Sequence, residues 1–574
     1  SGEGYSVAGD GKGGISVGTD QTLNIDNVTW GGFTTGVTNS GELNLNDVTF
    51  NNNSVSDVSN SGTMNLSGTD TFNGSVTGDG VTNVSGSDTS VYFNGNVTQS
   101  ELNISSGSVT GRGDNLNISD GINNNGELNL TGGTNNNDIS GTGTTNFSNE
   151  GGNSGTIEQT TVTNSGELTN SGTIIANTQN DGSIDNSGTI TNLTNNTDGT
   201  TDNSGSITTA NNSGTITNET TGTIGTLTNA GSVDNSGSIT GVVNNSGSIA
   251  NSGHITGVIY NSAYGEISSL ADGLESDVYN AGLITLSGGT TTNSYDNYDG
   301  VDGTIAISGD IVINSSISNN NVSLGDNELS LGANGALTLS GLNTTSGSVL
   351  DAQNGVIDRI STGITNADGL NYLIDVSLDD KLGDYLSAVS LSGNNDVSIT
   401  GINITSDTDN SMTKVYVSND VLANSIALGT TTYTGSSESY QFKLGTDSDG
   451  AYLMFANDAY RNLVTATRNE YGFEADTRTY TLTGDESVQY DLDHIGETSL
   501  GYSNIGPMQG DEFTIAGAGY SISGDGKGGI SVASGQTLNI QNVNGENSTG
   551  DAQGKGWYGF NGTVINNAGI VNIK

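Results

Sequence analysis

The chain has 574 residues, 31% apolar and 13% charged; Gly (88) and Asn (76) dominate, while Pro occurs once and Cys not at all. That is too little apolar matter for a conventional globular core of this size, and collagen, polyproline, helical-bundle and disulfide-framework readings fail on the same counts. Sixty-two acids against 12 bases give a formal charge of -50, which repels phosphate backbones and anionic membranes and argues against nucleic acid as a partner.

Low apolar content with high net charge is also the composition of disordered chains, so pattern has to decide. No apolar run reaches the roughly 18 residues of a membrane span. Ser1 opens without a charged, apolar leader, and the chain is read as a mature segment. The first third carries apolar-polar-apolar triplets: Leu23-Asn24-Ile25, Leu43-Asn44-Leu45, Met64-Asn65-Leu66, Leu102-Asn103-Ile104, Leu116-Asn117-Ile118 and Leu128-Asn129-Leu130. Each has the alternation of a half-buried strand. Gaps of 20 and 21 residues between the first three predict wide coils, and residues 75 to 100 interrupt the pattern.

An Asn-Ser-Gly-Thr/Ser-Ile phrase then recurs, with Gly at 155, 166, 172, 182, 188, 205, 214, 222, 231, 237, 247 and 253. Taken two at a time the spacings are 15 to 17 residues, the length of one coil. Two positions after each Gly stands an aliphatic residue. Gly is read as supplying a turn at positive φ, Asn as tolerating the same conformation, and the β-branched pair as entering a strand. Coils stacked about 4.8 Å apart would align Ile157, Ile174, Ile190, Ile207, Ile224, Ile239 and Ile255 in one inward column. Neutral Asn, Ser and Thr can hydrogen-bond along such ladders where charges would repel, and residues 153 to 255 contain eight acids and no base. At about 17 residues per coil, residues 1–345 form roughly 20 coils spanning on the order of 100 Å.

From about 346 the composition shifts: 16 of 32 aromatics and seven of 12 bases fall between 346 and 520. Residues 346–515 are therefore read as a β-rich spacer or capping module. Within it Tyr440, Phe442 and Leu444 alternate with polar residues before Asp449-Gly450, then Leu453 and Phe455, the pattern of a hairpin with an aromatic face. Asn457 to Glu470 has helical propensity. Tyr5 to Val28 returns as Tyr520 to Val543, 18 of 24 positions identical, and Gly32-Phe33 returns as Gly559-Phe560. Residues 516–574 therefore restart a solenoid unit and duplicate 5–45, the mark of tandem units.

The Asn-Ser-Gly-Thr-Ile coils, Leu-Asn-Leu strands, missing Cys, scarce Pro and acidic charge, with Tyr440-Gln441-Phe442-Lys443-Leu444 and Leu453-Met454-Phe455, resemble the β-helical passengers of autotransporter-type (type V secreted) adhesins of Gram-negative bacteria. The resemblance implies a right-handed parallel β-helix on the outer cell surface or outside the cell, serving adhesion or aggregation. Its implied partners are glycans or proteins of a host, a neighbouring cell or a matrix. A membrane-translocating barrel, with alternating strands and aromatic girdles, is not visible in this segment.

Parallel β-helices also carry polysaccharide lyases and hydrolases. A lyase needs a strong base and charge neutralisation, yet no Arg or Lys lies between Arg112 and Arg359. A hydrolase needs carboxylates facing one cleft, for which Asp296, Asp299 and Asp302 are the best cluster; the same oxygens are the candidate calcium ligands, though their spacing departs from the EF-hand loop. No other cofactor is expected. Asp447-Ser448-Asp449-Gly450 reads as a turn before a metal loop, His254 and His494 as surface residues, and Gly11-Lys12-Gly13-Gly14 with its copy at 526–529 as a turn. Arg112-Gly113-Asp114 spells an integrin-type tripeptide that chance readily produces here. Trp30, Trp557 and the tyrosines of 372 to 520 would either stack on sugars or form an aromatic core. The expected function is a structural or adhesive extracellular fibre without enzymatic activity. The alternatives are a self-assembling filament subunit, its coils pairing end to end, and a carbohydrate-active β-helix.

Overall fold

The computed structural model is nearly all β, 62% strand and 2% helix, and is a long parallel β-solenoid of about 20 turns, the fold class that the coil periodicity predicts. It describes residues 5–51, 55–406, 414–429, 432–434, 439–455, 479–481, 486–488, 512–516, 522–524, 530–532, 537–541, 557–558, 565–567 and 570–573. Two units divide the chain, Ser1–Ile305 and Ala306–Lys574.

In the first unit each turn contributes strands to three inward-facing stacks. One stack holds the seven expected isoleucines in direct register. It reaches back through Ile139, Ile122, Leu102, Thr82, Met64 and Leu43 to Leu23. The Leu-Asn-Leu strands at 23, 43, 64 and 102 and the Thr/Ser-Ile strands from Ile157 to Ile255 are thus two spellings of one column, interrupted only by Thr82, whereas Leu116–Ile118 and Leu128–Leu130 fall in other stacks. A second column runs Leu168, Ile184, Thr201, Ile216, Val233, Ile249, Ile267, Ile284. Thr201 shows why one phrase seems missing from the sequence: the turn at Gly199 exists, but its inward residue is not aliphatic.

The third stack changes chemistry along its length. Trp30, Phe50, Phe72 and Phe93 occupy successive turns, the three phenylalanines stacked with ring centroids 5.2 Å apart. The same register position then holds Gly111, Leu130 and Phe147, and from Asn164 onward it holds Asn180, Asn195, Asn212, Asn229, Asn245, Asn261 and Asn280. Each Asn donates from Nδ2 to Oδ1 of the next, at 2.8–2.9 Å from Asn164 to Asn280. A second buried ladder, Asn153, Asn170, Asn186, Asn203, Asn218, Asn235 and Asn251, repeats the arrangement in the neighbouring stack. The second amide hydrogen reaches a turn carbonyl, as from Asn212 to Gly214 and Ser232, so the buried amides are satisfied. Strand alternation dictates the direction: in Ile184-Asp185-Asn186 the Ile and the Asn are two residues apart and share the inner face.

Two turn expectations are corrected. None of the glycines at 155 to 253 has a left-handed φ. They are needed because a Cβ at Gly172, Gly188 or Gly205 would lie closer than 3.0 Å to the carbonyl oxygen of the glycine one turn below. The asparagines that precede them are likewise extended core residues of the strand ends, outside the left-handed region.

In the second unit, parallel pairing runs on past the composition change at 346. Strand Ala336–Thr344 pairs with Arg359–Ala367, which pairs with Tyr385–Leu391. Alongside, Ile311, Leu329, Leu350, Tyr372, Ile399 and Leu428 form an inward column. The expected hairpin, Ser439–Asp447 with Gly450–Phe455, is antiparallel and lies in a separate four-stranded sheet, Leu444 opposite Leu453 and Asp447 opposite Gly450. Helical propensity at Asn457 to Glu470 lies outside the described residues.

The C-terminal restart repeats the N-terminal register. Ile530–Val532 pairs with Ile565–Asn567 as Ile15–Val17 pairs with Val37–Asn39. Thr537–Ile540 pairs with Ile570–Ile573 as Thr22–Ile25 pairs with Glu42–Leu45, and Ile522 is in register with Trp557 as Val7 is with Trp30. Even the outer amide bond recurs, Asn572 to Asn539 at 2.8 Å matching Asn44 to Asn24 at 2.8 Å.

Candidate functional surfaces

A solenoid presents its outward residues as a lattice with one row per turn. On the face outside the aromatic-to-Asn column, Asn146, Thr163, Gln179, Thr194, Asn211, Thr228 and Asn244 stack in register without a charge among them. The acids lie elsewhere: Glu167, Asp185, Asp202 and Asp234 are exposed on the outside of the Leu168–Ile284 column, Asp185 directly below Asp202. An outer amide ladder, Asn24, Asn44, Asn65, Asn83 and Asn103, decorates the first turns.

The structure places the singled-out residues as follows. Asp296 faces outward on Tyr295–Asn297 in register with Tyr279, Asp299 and Gly300 make a left-handed turn (φ 56° and 71°), and Asp302 accepts from Asn297 Nδ2 at 3.2 Å. Among the described residues no three His, Asp or Glu side chains are grouped as a metal ion requires. Asp447 and Asp449 sit at the hairpin tip, Asp447 accepting from Lys414 Nζ at 2.6 Å and from the Tyr416 hydroxyl at 2.9 Å. His254 is half-exposed or more and pairs through Nδ1 with Glu275 Oε1; His494 and residues 526–529 lie outside the described residues. Arg112 turns its guanidinium onto Asp114 of its own tripeptide (3.1 and 3.4 Å), so the two charges face each other and not a partner. Gly11 has φ 78° and Lys12 N donates to Asp10 Oδ1, the geometry of a turn. Trp30 is 5% exposed and stacks on Phe33 inside the aromatic column; Tyr372 and Tyr452 are fully buried.

Sequence reasoning missed two features. Asp70 occupies an otherwise apolar inner position, between Val48 and Val91, where burial pushes its carboxyl up to about 7 against the Val48 N–H bond that lowers it. Asp384 is likewise raised to about 8 by burial, while accepting from the N–H groups of Asp358 and Asp375 at 2.6 Å each. The other feature is a groove of about 260 Å³ lined by Arg359, Lys381, Leu382, Gly383, Tyr385, Tyr416 and Asp449. Its only trace in the sequence is the enrichment of bases and aromatics after 346.

No protein-family model matches the chain, and no curated protein matches it.

Proposed function

We propose that this chain is a structural and adhesive segment of an extracellular fibre, the displayed passenger of a Gram-negative autotransporter-type surface protein built from tandem solenoid units. The observation that carries the reading is the restart: a second set of strands repeats the first in the same register, down to the Asn572–Asn539 bond. Repetition of that kind supports an array whose reach grows by adding units. Outward rows of Thr, Asn and Gln support contact through an extended lattice, with host, neighbouring-cell or matrix glycans and proteins as partners. No catalysis is proposed: Asp296, Asp299 and Asp302 line an outward turn, and no Arg or Lys occurs in the chain between Arg112 and Arg359. Cells displaying the chain should attach to matrix-coated surfaces more than matched controls, and the triple change of Asp296, Asp299 and Asp302 to Asn should leave attachment intact. Attachment equal to controls, or oligosaccharide release abolished by the triple variant, would contradict the reading.

A further inference from the structure

Bases are scarce here, 12 against 62 acids, so an unpaired base in this chain is informative. Lys12, Arg112 and Lys414 each hold a carboxylate within 4.0 Å. Arg359 and Lys381 have no ion pair among the described residues, both are exposed, and both line the same groove. Strand register brings them there: Arg359 lies opposite Tyr385 on the adjacent strand, its guanidinium carbon 5.2 Å from the ring centroid. Lys381 closes the tight turn between Val376–Ser377 and Leu382–Gly383.

The backbone at Lys381 adds a separate argument. Its φ is 61°, a left-handed conformation that favours Gly or Asn and strains other residues. The chain uses 88 Gly and 76 Asn, yet places a lysine at this position. Strain retained at the rim of a groove marks a side chain kept for what it contacts. Around the two cations stand the rings of Tyr385 and Tyr416, the 44% exposed Leu382, and Asp449 at the hairpin tip.

We infer that this groove binds an acidic saccharide, a pyranose carrying a carboxylate. Arg359 and Lys381 receive the carboxylate, the guanidinium through paired hydrogen bonds. The tyrosine rings and Leu382 cover the apolar C–H face of the sugar, and Asp449 accepts from its hydroxyls. A long polyanion is disfavoured, because the field of a chain with charge -50 repels every carboxylate beyond the two cations. The inference names a ligand for the adhesive reading without resting on it: the groove binds whether or not the chain coats a surface.

Calorimetric titration of the full chain with digalacturonate, its dimethyl ester and triglutamate tests this. The expected result is saturable single-site binding of digalacturonate, at least ten-fold weaker binding of the ester, and no comparable binding of triglutamate. Arg359→Gln and Lys381→Gly should each weaken digalacturonate at least five-fold. Because glycine relaxes the left-handed turn, Lys381→Gly should not lower the unfolding temperature, which separates lost recognition from lost folding. Absence of digalacturonate binding, equal affinity for the ester or for triglutamate, or parental affinity in both variants would overturn the assignment.

Discussion

One column of the first unit solves the same packing problem twice. In its early turns Phe50, Phe72 and Phe93 stack ring on ring, with Trp30 tilted against Phe50; from Asn164 to Asn280 the same position carries amides bonded head to tail. The aromatic stretch gains from buried area and from stacking worth about 0.5–1.5 kcal/mol per pair. The amide stretch gains little from area, and its bonds contribute about 1 kcal/mol each net. What the amides supply is register, since a slip of one residue would carry a strand's Asn to the outer face and leave the amides in the turns above and below without that partner in the interior. The coil lengths differ as well: 20 and 21 residues between the first Leu-Asn-Leu strands, 15 to 17 between successive ladder asparagines from Asn164 to Asn261 and 19 from Asn261 to Asn280.

The contrast can be broken by mutation. A repeat array opens in stages, so native-state hydrogen exchange of neighbouring strands is the measurement for each variant. Phe72→Ala should cost about 3–5 kcal/mol locally, and Phe72→Leu should restore much of it, because shape and area carry that region. Unchanged exchange in strands Glu42–Asn51 and Ser90–Phe93 would show that the stack does not hold those turns.

Acidity should separate the two stretches next. Asp70 shares the turn of Phe72 and is raised from 3.8 to about 7, whereas no buried acid lines the Asn164–Asn280 column. Below pH 4 the carboxyl is protonated folded or unfolded and costs nothing. As pH rises it ionises first in the unfolded chain, so stability falls until pH passes the folded value and then levels off. Between pH 5 and 8 the loss should be about 3 kcal/mol in the aromatic turns, absent in the amide turns and abolished by Asp70→Asn. Asp384, raised to about 8, predicts the same direction in the second unit. A flat profile around Thr69–Phe72 would contradict the burial argument.

Asn212→Ala should cost about 2 kcal/mol, since Asn195 Nδ2 and Asn229 Oδ1 both lose a partner in the interior. Here Asn212→Leu should give no rescue, the reverse of the Phe72 series; full rescue by Leu would mean that the ladder merely fills space. The smallest effect belongs to the outer ladder, where Asn44→Ala should change local stability by under about 0.5 kcal/mol, because water replaces the partners. A loss comparable to that of Asn212→Ala would erase the distinction between inner and outer amides.

How much of this is legible in the sequence follows from which residues repeat. The seven isoleucines from Ile157 to Ile255 announce themselves because one residue class recurs at one spacing, and the Leu-Asn-Leu strands by their apolar-polar-apolar alternation. The direction of the asparagines was available in Ile184-Asp185-Asn186, yet the adjacent Ser-Gly drew them to the turn. The glycines looked conformational, whereas their reason is a carbonyl one turn away, which no local window contains. Thr201 hid a whole turn by departing from the aliphatic rule. The groove of Arg359, Lys381, Tyr385 and Tyr416 was illegible for a related reason: after residue 346 the coils lose a common length, so which residues meet depends on pairings such as Arg359 with Tyr385 that no period announces.

The central claim is that buried Asn ladders set the register of the middle turns. Side-chain amide hydrogen exchange by NMR addresses it directly, since it reads the Nδ2 hydrogens themselves. Asn170, Asn186, Asn203, Asn212 and Asn229 should exchange as slowly as the backbone of their own strands, and Asn24 and Asn44 of the outer ladder orders of magnitude faster. Exchange of the inner amides at the rate of a free carboxamide would contradict the account.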